Sequence, residues 1–430
     1  MIMKAKICIL VFLCNGLLLS SDIHELSKTS AFSRAPEINA VYEVYDSLLA
    51  LSNKLYRSNK IALIRDEGPV FASETWPPGT WGRGYYTKDI EYYPKEYFTE
   101  KYAQWINNER ACNPLIREIG RRIMGYIHEY RSSSHSSLSQ IKSAIQYLVD
   151  NQTANGGYIW WFKRTGKYEI QGEPNTTGNL YTTSIALRAL CEGYAFLNSS
   201  LINDPEINMA LIAAIRKSAD YIVSYPDLDV NYPNGKLLAV WGLTGAFKIT
   251  GDNTYFNKSV SLVFGSELKQ REDGSFITPD RRESYHDANI FYHGMNLRGL
   301  AELYSVLKDN DQRRQLREMI VKSINHIIDY NGGDETRLND SWDGAYNSEH
   351  ARFEKGSAVR GMILLGGLIL TRRYVDFETG DKVSLDHLIN YTINGMVYIG
   401  RKSAYYKYAD ADIAIHNIGM YLEFAGYTSR

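Results

Sequence analysis

From Pro36 onward, apolar positions recur three and four residues apart along most of the chain, and strict in-and-out alternation is scarce. The pattern predicts helices near 36–58, 112–131, 135–150, 179–197, 204–223, 235–250, 253–268, 285–307, 311–330, 350–373, 382–399 and 410–427. The connections alternate in length. Those after the helices ending near 131, 197, 250, 307 and 373 are short, and one is the turn dipeptide Gly251-Asp252. The others are longer and rich in Gly, Asn, Asp and aromatic residues. A short turn makes neighbouring helices antiparallel, so this alternation gathers every long connection at one end. Helix, short turn, helix, long loop is a weak internal repeat, and such repeats form an open solenoid or close into a ring. Six pairs closing into two concentric layers predict an all-α fold, an (α/α)6 toroid.

The alternation also sorts the helices. Those beginning near 112, 179, 235, 285, 350 and 410 belong to the inner layer and are covered on more sides. The run at 359–370, VRGMILLGGLIL, fits: Gly361, Gly366 and Gly367 cost helix propensity but permit close backbone approach. It is shorter than a membrane span. The helix at 285–307 differs. Tyr285, Asn289 and His293 recur every four residues and share one face. His286 and Tyr292 flank that face, while Leu297, Leu300, Ala301, Leu303 and Tyr304 give an ordinary buried stripe. Its first turns either present phenol, amide and imidazole to a cleft or cap and pack against neighbours.

Composition sharpens this picture. With 430 residues, 44% hydrophobic and 23% charged, the chain can build one large core or two domains. A net charge of −1 gives no global field toward nucleic acid or an acidic membrane. Tyr numbers 33 and Trp 7, and such rings suit sugars and wet clefts as well as cores. Residues 1–21 read as a secretory signal peptide: Lys4 and Lys6, an apolar run, then Ser20 and Ser21. That implies a secreted or periplasmic protein whose residues 22–430 form one domain, with 59–111 as an aromatic-rich insertion at the long-loop end. Cys112 and Cys191 either pair or stay buried as thiols. Asn151, Asn175, Asn198, Asn257, Asn339 and Asn390 begin glycosylation sequons.

The long-loop end collects the candidate chemistry. Trp76, Trp81, Trp160, Trp161 and Trp342 offer flat platforms for sugar rings, or pin the loops to the ring. Arg281, Arg282, Arg352, Lys355, Arg401 and Lys402 offer charge for a carboxylate or sulfate, helped by the positive ends of the inner helices. Tyr285, His286, Asn289, His293, Tyr346, His350, Tyr405, Tyr406 and His416 supply groups for proton transfer. Asp340, Asp343, Glu349, Asp410 and Asp412 supply the carboxylates that glycoside hydrolysis needs in pairs. The chain has no HExxH, no zinc-type Cys/His spacing, no phosphate loop and no dinucleotide glycine fingerprint, so neither a metal nor a cofactor is expected.

The signal-type leader, six helix pairs, aromatic loops such as NGGYIWW, and this amide, imidazole, phenol and guanidinium set resemble the α/α-toroid polysaccharide lyases. More loosely they resemble the toroid part of uronyl C5-epimerases. The resemblance implies that Asn, His or Arg neutralises a uronate carboxylate while Tyr, often with His, takes the C5 proton and protonates the leaving oxygen. The adjacent Asn-His pair of the alginate-lyase type is absent, since Asn289 and His293 are four apart and His416-Asn417 has the reverse order. Transferred to this chain, Asn289 and Arg352 would hold the carboxylate. Tyr346 or Tyr285 would act with His293, His286 or His350, and the partner would be a poly- or oligosaccharide rather than nucleic acid. An inverting glycoside hydrolase and a non-catalytic glycan-binding protein are the alternatives on the same ring.

Overall fold

The computed structural model describes residues 35–57, 116–133, 138–158, 160–164, 167–171, 179–199, 205–225, 228, 233–266, 268–276, 290–330, 358–377, 379–402 and 408–428. Among these residues twelve helices lie where the periodicity predicts them. They are α1 Ile38–Arg57, α2 Ile116–Ser133, α3 Leu138–Asp150, α4 Leu180–Ser199, α5 Pro205–Val223, α6 Pro233–Thr250, α7 Asn253–Phe264, α8 Ile290–Tyr304, α9 Asn310–Tyr330, α10 Ala358–Tyr374, α11 Thr379–Lys402 and α12 Tyr408–Thr428.

The two layers separate by sequence character. An outer helix such as α9 buries Leu316, Ile320, Ile324 and Ile327 on one stripe and leaves Arg314 and Glu318 in water. An inner helix has no such stripe: in α6 every residue from Pro233 to Ala246 is buried. The even-numbered helices form the inner ring. α2 packs on α4, α4 on α6, α6 on α8, α8 on α10, α10 on α12, and α12 returns to α2. Each odd-numbered helix packs outside this ring, and α1 covers α12. The expected (α/α)6 toroid is the observed fold.

Glycine allows close contact between inner helices. A Cβ on Gly294 would stand 2.7 Å from Leu364 Cα, and one on Gly367 would stand 2.5 Å from the Gly294 carbonyl oxygen. Thus α8 and α10 touch backbone to backbone, as the run at 359–370 suggests. The turn after α6 is also as expected: Asp252 caps α7 by accepting from the Thr254 N–H at 2.9 Å. Helix α7 stops at Phe264, short of the predicted 268, where the Gly265 N–H closes on Ser261 O at 2.9 Å.

Two features of the loops were not expected. The stretch read as loop after NGGY contains a β-hairpin, β1 Trp160–Arg164 and β2 Lys167–Gln171, with Arg164 opposite Lys167. Its signal is two β-prone segments around Thr165-Gly166. Second, 151–158 (NQTANGGY) and 269–276 (KQREDGSF) are the same loop used twice. Gln152 Nε2 donates to Ala214 O at 2.8 Å and Ser218 Oγ at 2.7 Å, tying the end of α3 to α5. Gln270 Nε2 donates to Met319 O at 2.9 Å and Ser323 Oγ at 3.0 Å, tying the segment after α7 to α9. Gly156 and Gly274 sit at φ 92° and 90°, where a side chain is strained. Tyr158 then enters the core and donates to Leu148 O at 2.9 Å.

Cys191 is a buried free thiol, which burial pushes far above its usual pKa; Cys112 lies outside the described residues. Among those residues no helix is long and apolar enough to cross a membrane.

Candidate functional site

The inner helices all start at the long-loop end, so equal depth in sequence means equal depth in the lumen. Eight residues after the start lie Arg188 (from Leu180), Trp241 (from Pro233), Arg298 (from Ile290), Gly366 (from Ala358) and His416 (from Tyr408), and in α2 Met124 (from Ile116). At the helical rise this is roughly 12 Å below the helix N-termini. Arg188, Trp241, Arg298, Gly366 and His416 meet. The guanidinium carbons of Arg188 and Arg298 lie 5.5 and 5.1 Å from the Trp241 ring centre. His416 stacks near Trp241 with centroids 6.4 Å apart, and on His128 at 5.7 Å. Gly366 is small because Arg298 Nη2 and Asn417 Oδ1 occupy the place of its side chain.

The two central arginines are held differently. Arg188 pairs with Glu192 on its own helix and with Glu302 at 2.9 Å, and Lys248 joins Glu302. Arg298 donates to the Asn417 side-chain oxygen and reaches Ile363 O at 3.5 Å. Among the described residues it meets no carboxylate. Burial, then the charges of Arg121 and Arg188, push the Arg298 guanidinium down to about 9. Burial, followed by Arg298, His128, Arg121 and Arg188, also holds His416 well below its ordinary value, so it is neutral at pH 7. Two helical turns beyond His416 the signs mix. Glu423 pairs with His128, and its carboxylate also lies 3.6 Å from Arg131 and 3.8 Å from Arg373.

The first nine residues of the inner helices carry more basic than acidic residues: Arg117, Arg121, Arg122, Arg188, Lys236, Arg298 and Arg360 against Glu118, Asp410 and Asp412. The described acids Glu129, Glu192, Glu302 and Glu423 all lie further down. The positive helix ends add to the charge at the mouth.

The sequence matches no protein-family model and no curated protein. The fold, however, has solved counterparts. The unsaturated glucuronyl hydrolase of Streptococcus agalactiae superposes with a TM-score of 0.52 over 90% of this chain and 93% of its own, at 14% identity. A mutant of it gives 0.54 over 91% and 94%, also at 14% identity. A glycosyl hydrolase family 88 protein from Bacteroides vulgatus gives 0.49 over 76% and 96%, at 11% identity. This chain is an α/α toroid. At such identity the likeness is one of fold.

The toroid places few of the sequence-predicted groups within view. Tyr285, His286, Asn289, Tyr346, His350, Arg352, Trp76, Trp81, Arg282, Trp342, Tyr405 and Tyr406 lie outside the described residues. Trp160 and Trp161 open strand β1. His293 is described and is 1% exposed. It stacks on His326 of α9 at 4.9 Å and meets Phe276 at 6.4 Å, so its ring packs between α8 and the outer layer. Five residues separate it from Arg298, or about 140° around the helix, so it does not share the lumen face.

The lumen layer itself was missed by the sequence reading, except for His416 and the His416-Asn417 pair. Its signal is present: IALRALC, LAVWGLTG and MNLRGLAEL set Arg188, Trp241, and Arg298 with Glu302, into apolar inner helices. Burying such a group has a cost that a structural or functional role must offset. Among the described residues no cluster of His, Cys, Asp or Glu is placed to hold a metal ion.

Proposed function

We propose that this toroid is a secreted or periplasmic carbohydrate-active enzyme that cleaves a uronate-containing polysaccharide or oligosaccharide by β-elimination. The observation that supports it is the basic excess at the starts of the inner helices, seven Arg and Lys against Glu118, Asp410 and Asp412, in segments that follow 277–289, 331–357 and 403–407 along the chain. A mouth of that sign favours an acidic glycan, and neutralising a uronate carboxylate there acidifies the neighbouring C–H. In this reading Asn289 and Arg352 hold the carboxylate, and Tyr346 or Tyr285 takes the C5 proton and returns one to the leaving oxygen. His286 and His350 are the assisting imidazoles, because His293 is committed to packing on His326. Trp76, Trp81, Trp160, Trp161, Trp342, Tyr405, Tyr406 and Arg282 extend the sugar-binding surface.

Hydrolysis is the competing chemistry, and it is the one named for the Streptococcus counterparts. One assay separates them. The protein is incubated with polyuronates and with unsaturated uronosyl oligosaccharides while ultraviolet absorbance and reducing ends are followed. Rising enoate absorbance is the expected result, with a loss of roughly 10²-fold or more in Tyr346→Phe or Tyr285→Phe. Reducing ends released while absorbance stays flat or falls would replace elimination by hydrolysis. Glycan binding with no turnover would leave a binding protein.

A further inference from the structure

Among the described residues, nothing satisfies a group of N–H donors in the lumen. Arg298 Nε, Arg188 Nε and Trp241 Nε1 are buried without a hydrogen-bond acceptor. They form one cluster, because both guanidiniums lie over the Trp241 ring. The Thr244 hydroxyl, one turn further along α6, and the Asn234 amide, two turns back, are also unpartnered. An arginine Nε–H and an indole N–H can donate but never accept. A water among them could pass its protons to the unpartnered Thr244 hydroxyl, Asn234 Oδ1, Asn296 Oδ1 or Glu302 Oε2, but it would bring no charge to Arg298. Glu302 has an unpartnered Oε2, but that carboxylate already answers Arg188 and Lys248 one turn deeper. A buried cation without a counter-charge costs several kcal/mol, and Arg298 meets no carboxylate among the described residues.

We propose that the lumen of this toroid binds a monovalent, halide-sized anion on Arg298, Arg188 and Trp241. The anion supplies the acceptor these three N–H groups lack and the charge Arg298 lacks. Its size follows from closure: Arg298 and Trp241 are 3% exposed, Asn234 2% and Thr244 0%. A sugar carboxylate carries a ring that such a space does not admit. The site is therefore distinct from the proposed glycan mouth above it and independent of whether that mouth catalyses anything. It neutralises the centre of the ring, where α4, α6, α8 and α12 bring their polar groups together.

The test uses the whole protein and two halides. Crystals soaked in sodium bromide are expected to show an anomalous peak within hydrogen-bonding reach of Arg298 and Trp241. In solution, sodium chloride is expected to raise the melting temperature saturably, by about 2–4 °C, over sodium gluconate at equal ionic strength. Arg298→Met removes the charge and is expected to melt at one temperature in both salts. Trp241→Phe keeps the ring but not the N–H and is expected to need several-fold more chloride for the same effect. It also serves as the second variant if Arg298→Met does not fold. An ordered water in place of the bromide peak, equal melting of the wild type in both salts, or equal chloride dependence in wild type and variants would overturn the proposal.

Discussion

Two buried glutamates show how neighbours decide the sign of a pH effect. Burial by itself would raise Glu423, but the hydrogen bond and charge of His128, with Arg131 and Arg373, outweigh it and hold the acid at about 2. At Glu129 the balance goes the other way: burial, then the charge of Asp46, lifts it to about 7. The two therefore act in opposite windows. Glu423 binds a proton more weakly folded than unfolded, so it stabilises above pH 4.5 and that contribution is lost as pH falls from 4.5 toward 2. Glu129 binds its proton more tightly when folded, so its contribution is complete below pH 4.5 and is lost as pH rises through 7. Denaturant midpoints across pH 3–8 are expected to show Glu423→Gln less stable than wild type at pH 7, by about 1–3 kcal/mol, with the difference shrinking as pH falls below 4.5. Glu129→Gln is expected to match wild type at low pH and exceed it at pH 8. A wild-type profile without a decline at either end would contradict both assignments.

At the scale of elements, periodicity made the helices legible and length alternation made the layers legible, because both follow from burial. The hairpin escaped because five-residue strands carry few positions to alternate. The lumen escaped because it is not a motif: Arg188, Trp241 and Arg298 are far apart in sequence and related only by their depth in parallel helices. The repeated loop was half visible, since NGGYIWW stood out as an aromatic loop while its partner around Gly274 passed unnoticed. The two copies predict matched behaviour. A Cβ on Gly156 would overlap the Lys217 carbonyl, and one on Gly274 the Lys322 carbonyl, at φ 92° and 90°. Gly251 also has positive φ, 69°, but nothing lies within 4 Å of a Cβ there. Alanine at Gly251 is expected to cost about 1–2 kcal/mol, the left-handed backbone term alone. Alanine at Gly156 or Gly274 is expected to cost at least about 2 kcal/mol more, by adding overlap and breaking the staple to α5 or α9. Equal losses at all three positions would mean that the carbonyl contacts are soft.

For the whole molecule the decisive feature is closure of the inner ring between α12 and α2. An open array of hairpins unfolds in pieces and tolerates loss of an end unit. A closed ring leaves each inner helix with two inner neighbours and gives the ends no slack. Far-ultraviolet dichroism and tryptophan fluorescence are expected to report one coincident denaturant transition. A chain ending at residue 402, which lacks α12, is expected to lose that transition altogether. Retention of about five-sixths of the dichroism with a cooperative transition would show that the hairpins stand alone.

Helix α1 lies against α12 as each later outer helix lies against its inner partner, so the sixth hairpin joins segments whose first residues, 38 and 408, are 370 positions apart. Such a clasp cannot fasten during synthesis until the final helix has left the ribosome. Until then the growing chain carries two greasy flanks with nothing against them, and nascent-chain aggregation is the hazard the architecture must survive.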